Sequence, residues 1–86
     1  MASVTLLYFA RIREQIGLAE EQRELPGGIA TVRDLMAWLA GMDERYERAF
    51  AEPEKLRCAI DQVMSPLDAA TDGAEEIAFF PPVTGG

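Results

Sequence analysis

The chain has no histidine and a single cysteine, Cys58, among its 86 residues. Without histidine, zinc sites and imidazole-activated nucleophiles lose their usual residue. One cysteine excludes an internal disulfide framework, in keeping with a reducing compartment. No run of about 18 apolar residues is present for a membrane span, and the N-terminal residues lack the basic region and cleavage site of a signal peptide. The expected location is the cytoplasm, with no membrane partner. Cations are scarce: 8 Lys and Arg stand against 15 Asp and Glu, for a formal net charge of -7. A phosphate backbone repels such a domain, so no nucleic-acid partner is expected, whereas a basic, concave protein surface attracts it. No carboxylate pair has a spacing that suggests acid-base catalysis within this chain.

What is present suits one small domain. With 49% apolar and 27% charged residues, the composition is near the globular average and supports a modest core without staples. Ser3 to Phe9 is apolar or β-branched on both alternating faces, which predicts a strand inside a sheet. Ala10 to Ile16 reads as a short helix stopped by Gly17, and Glu20 to Leu25 as an exposed edge strand whose acidic residues protect the edge. Thr31 and Asp34 have the spacing of a capping box, ahead of Val32, Leu35, Met36 and Leu39 on one helical face. This main helix ends near Gly41.

Asp43 to Ala51 predicts a second short helix closed by Pro53. Leu56, Cys58 and Ile60 then alternate with Arg57, Ala59 and Asp61, as in a strand with one face on the core. Buried in that strand, Cys58 is expected to pack rather than react. Asp61-Gln62 starts a turn, Val63 to Leu67 a short return strand broken by Pro66, and Thr71-Asp72-Gly73 another turn. Glu76 to Phe80 is the last strand, ended by Pro81-Pro82. The expected class is α+β: a mixed sheet against one main helix, with the first and last strands central. Residues 1–82 form the domain and 83–86 an extended, flexible tail.

The tail carries the chemistry. Pro81-Pro82 stiffens the exit, and two glycines without Cβ atoms pass a channel too narrow for other residues. A carboxylate at Gly86 is a poor electrophile, so it needs adenylation with ATP by another enzyme before a thiol, amine or sulfide source attacks. The plain alternative is a frayed terminus or cloning remnant. Of Phe79 and Phe80, which alternate across the strand, one is core; the other is core on the far face or a partner contact. Arg11 and Arg13 read as a solvated helix face or a docking patch for an acidic partner.

Two stretches carry a resemblance. FFPPVTGG, Phe79 to Gly86, and LYFARIRE, Leu7 to Glu14, with the Asp72-Gly73 turn, resemble the small sulfur-carrier subunit of molybdopterin synthase, a ubiquitin-like β-grasp family. The resemblance implies that Gly86 is adenylated by an activating enzyme and converted to a thiocarboxylate, with a sulfurtransferase as sulfur source. It also implies that Gly86, given access by Gly85, enters the large catalytic subunit and donates sulfur to cyclic pyranopterin monophosphate, making the dithiolene of molybdopterin. The chain would then be no enzyme by itself and bind no cofactor, ATP being used by the activating enzyme. Apolar residues beside the tail would meet the partner: by position Phe9, Met64 and Phe80, continued by Pro81, Pro82, Val83 and Thr84. Asp61 stands where the family often has asparagine, and Ala74-Glu75-Glu76 is one residue longer. Alternatives are sulfur transfer in thiamin, cysteine or tRNA thiolation pathways, a protein modifier ligated to lysines, and an interaction domain with an inert tail.

Overall fold

A computed structural model describes residues 3–82. Five strands form one mixed sheet: β1 (Ser3–Tyr8), β2 (Glu20–Glu24), β3 (Arg57–Ile60), β4 (Val63–Ser65) and β5 (Glu76–Phe80), in the order β2-β1-β5-β3-β4. β5 is central, parallel to β1 and antiparallel to β3, while the polar β2 and the three-residue β4 take the edges. The order follows from composition, because the strand apolar on both faces belongs where neighbours cover both edges.

Three helices cover one face: α1 (Ala10–Ile16), α2 (Val32–Ala40) and α3 (Glu44–Ala49). The long helix α2 therefore shares its face of the sheet with two short ones. Its start is fixed by the expected box, with the Asp34 backbone N–H donating to Thr31 Oγ1 at 3.1 Å and the Thr31 N–H to the Asp34 carboxylate at 3.1 Å. The bonds it accepts from the Thr31 and Ala30 N–H groups hold the Asp34 carboxyl below its usual range. Gly17 ends α1 in the left-handed region at φ 87°, which a residue without Cβ adopts freely. Asp43 caps α3 by accepting from the Arg45 and Tyr46 N–H groups. Pro53 does more than close α3: Pro53–Lys55 forms a 3-10 turn, so β3 begins at Arg57 and Leu56 caps the turn.

The core joins Leu35, Met36 and Leu39 of α2, Ile12 and Ile16 of α1, and Tyr46 of α3 to Leu6, Tyr8, Cys58, Ile77 and Phe79 of the sheet. Phe50 meets Tyr8 and Phe79 edge to face, with centroids 6.4 and 5.1 Å away. Cys58 is fully buried, its thiol directed to the Ser65 carbonyl at 3.2 Å, and burial pushes its pKa up. Such a thiol is inert.

One acidic residue of the edge departs from its expected role. Glu21 turns inward and accepts hydrogen bonds from Tyr8 Oη at 2.7 Å, Tyr46 Oη at 2.6 Å and Arg23 Nε at 3.1 Å. Arg23 also donates to Tyr46 Oη and lies over the Trp38 and Tyr46 rings. β2, β1 and α3 are thus joined by one polar network. Burial, then the bond to Glu21, pushes the Tyr8 phenol far above its ordinary value.

Candidate functional site

β5 carries the chain from the sheet centre to Pro81-Pro82, and its alternation sorts the two phenylalanines. Phe79 is fully buried and stacks on Tyr8 at 6.1 Å. Phe80 points to the opposite face, half-buried, and stacks on Phe9 with centroids 4.8 Å apart and planes 8° from parallel. Phe9 is 41% exposed, so the pair stands at the point where the chain leaves the sheet.

The main chain around Phe9 is unusual. Its N–H donates to the Phe79 carbonyl at 3.3 Å, tying it to β5 one residue past the ladder. Ala10 then takes φ 52° to start α1, a left-handed conformation that strains any residue with a Cβ. That reversal carries α1 to the helical face while Phe9 stays on the other, a kink with no sequence signal because glycine is absent there.

The helix-free face continues away from this pair. Leu7, Ala78, Ala59 and Met64 are successive cross-strand partners on β1, β5, β3 and β4. Met64 is 62% exposed and lies two strands from Phe80, roughly 10 Å across the sheet. Phe9, Phe80 and Met64, which the resemblance implied as partner contacts, thus share one face. Ala59, which the alternation assigns to the polar side, is only 5% exposed; it and Ala78 are small side chains flanked by larger ones and form the floor of this surface. Val63, 65% exposed on the edge strand, was not singled out because it reads as an ordinary strand residue.

Pro81 and Pro82 are half-buried and form one wall of a cavity of about 150 Å³ between α1 and the 3-10 turn. Val83, Thr84, Gly85 and Gly86 lie outside the described residues. At the far end of β5, Asp61 and Gln62 turn the β3-β4 hairpin with φ 48° and 72°, as a two-residue turn requires. The Asp61 carboxylate accepts from the Glu75 and Glu76 N–H groups, both at 2.9 Å, so it ties the longer 74–76 segment to the hairpin. Among the described residues no cluster of His, Cys, Asp and Glu can hold a metal ion, and no helix is long and apolar enough to cross a membrane.

The ThiS family model matches residues 6–86. The chain belongs to the ThiS family. It is 40% identical to the molybdopterin synthase sulfur carrier subunit of Haemophilus influenzae, over 96% of this chain and 99% of that one. With the subunit of the same name from Escherichia coli it shares 35% identity over the same fractions. The crystal structure of SAMP1, a small archaeal modifier protein from Haloferax volcanii, superposes with a TM-score of 0.73 at 29% identity, covering 99% of this chain and all of that one. The architecture is that of the ubiquitin-like β-grasp proteins, as the resemblance implied.

Proposed function

We propose that this ThiS-family chain is the sulfur-carrier subunit of molybdopterin synthase and that its C-terminal Gly86 carries the sulfur. The observation that supports this best is full-length similarity to curated sulfur-carrier subunits, combined with a Pro-Pro exit from the central strand of a rigid sheet. An activating enzyme adenylates the Gly86 carboxylate with release of pyrophosphate. Sulfide supplied by a sulfurtransferase then displaces AMP, leaving a thiocarboxylate. The large subunit takes Val83 to Gly86 into its active site, where the sulfur passes to cyclic pyranopterin monophosphate. Catalytic groups belong to the large subunit; this chain docks and delivers.

Docking falls to the helix-free face. Phe9 and Phe80 present a preformed aromatic pair beside the exit, Met64 extends the apolar surface, and Pro81-Pro82 fixes the direction in which the tail departs. Buried aromatic anchors ringed by weaker contacts are how such interfaces concentrate their energy.

Coexpression with the activating enzyme followed by intact-mass measurement tests the reading. The expected result is replacement of one terminal oxygen by sulfur, and its absence with every candidate activating enzyme overturns the proposal. The likeness to SAMP1 favours protein modification as the second reading. Lysine conjugates that shift on gels, and vanish on deletion of Gly86, would mark that role.

A further inference from the structure

We propose that the cavity at the root of the tail is a socket for an acidic segment of the large subunit that receives the tail. The inference rests on the sulfur-carrier reading and concerns how its partner is recognised. Arg11 of α1, Arg48 of α3 and Lys55 of the 3-10 turn converge on this cavity, over a floor of Ile12 and Leu56 and against the wall of Pro81 and Pro82. Among the described residues Glu52 is the one carboxylate in its lining. Three cations against Glu52, and against Glu44 paired with Arg48, still leave a local charge of +1 on a chain whose formal net charge is -7.

These cations can accept a new partner. Arg48 pairs with Glu44 at 3.5 Å and Lys55 with Glu52 at 3.1 Å, and all four side chains are at least 67% exposed. Exposed pairs of this kind hold weakly and exchange with water. Arg11 pairs with no carboxylate among the described residues. An arginine beside an apolar floor binds a carboxylate through two parallel hydrogen bonds while the floor removes competing water.

Position supplies the identity of the occupant. Four extended residues beyond Pro82 span at most about 14 Å, so a protein holding Gly86 in its active site is confined to that distance of the socket wall. A protein segment fits better than a small anion, because the cations are long exposed side chains and hold a free ion loosely, whereas a partner already seated on Phe9 and Phe80 brings its carboxylates at high effective concentration.

The test uses the full chain and the large synthase subunit from the same genome, with dissociation constants measured at low and physiological salt. Arg11→Gln is expected to weaken binding by about threefold, the worth of one exposed pair. Gln62→Glu, which makes the same change in net charge at the opposite end of β5, leaves it unchanged. Combined reversal by Arg11→Glu, Arg48→Glu and Lys55→Glu weakens binding by about thirtyfold or more at low salt, with a gap that narrows as salt rises. Thermal unfolding checks that each variant folds. The inference is overturned if Arg11→Gln binds like wild type, or if Arg11→Gln and Gln62→Glu weaken binding equally. Saturable sub-millimolar binding of inorganic phosphate in the cavity of the wild-type chain alone also overturns it, by making this a small-anion site. A wild-type chain that never acquires sulfur refutes the functional reading, whereas one that acquires it and binds regardless of these cations refutes the socket alone.

Discussion

Phe79 and Phe80 are adjacent in sequence and lie on opposite faces of one strand, with opposite surroundings. Phe79 is enclosed by Tyr8 and Phe50 under the helices, and Phe80 shares a half-exposed stack with Phe9 on the bare face. Burial on the first face holds the domain together. Exposure on the second leaves apolar area that, on the docking proposed above, the large subunit buries, so that a single alternation would separate stability from recognition.

Substitution of each residue tests that separation most strongly. Phe79→Ala is expected to cost about 3–5 kcal/mol of stability in denaturant titration, from lost transfer energy and the cavity left behind. Phe80→Ala costs under about 1 kcal/mol of stability but about 2 kcal/mol of binding to the large subunit, measured by calorimetry. Equal losses of stability from the two would erase the distinction between the faces.

The polar network under the helical face gives a pH test. The Tyr8 phenol is pushed far up by burial and by Glu21, so the folded state keeps its proton where the unfolded chain releases it. Its contribution is complete below the ordinary tyrosine value near 10 and is lost as pH rises above that value, by up to about 1.4 kcal/mol per pH unit. Tyr8→Phe makes that alkaline slope shallower, leaving the part due to Tyr46, whose phenol is also pushed up by burial and by Glu21, and urea melts at stepped pH values will show whether it does.

Smaller effects come from backbone conformation. Thr31→Ala removes the cap of α2 and is expected to cost about 1 kcal/mol in thermal unfolding. Ala10→Gly relieves the left-handed backbone beside Phe9 and is expected to stabilise the fold by up to about 1 kcal/mol, leaving binding intact. A loss of stability would show that Ala10 carries no strain at the turn between the two faces.

The sequence made local features legible and hid those that need distant residues to meet. The caps at Thr31 and Gly17, the α2 stripe, the polar edge strand and the apolar character of the first and last strands follow from spacing and side-chain type within a few positions. Glu21 looked like edge protection because its partners, Tyr8 and Tyr46, lie 13 and 25 residues away. Ala59 was assigned to the polar side because alternation ignores the cross-strand neighbours that bury a small residue. The left-handed Ala10 and the 3-10 turn at Pro53 carried no signal of their own. Phe9, Met64 and Phe80 came from the resemblance, and only the strand register places them on one face. The cation cluster at the tail root is also invisible in the linear chain, where an overall negative charge points to a basic partner.

The central claim is that the folded domain docks while the last glycine delivers sulfur. Its most direct test is a reconstitution of thiocarboxylated full-length chain with the large subunit and cyclic pyranopterin monophosphate, scored for dithiolene product. The account predicts product with two carrier chains consumed for each molecule formed, and none from a chain lacking Gly86 that folds and binds as well as wild type. Product formation by that shortened chain would contradict it.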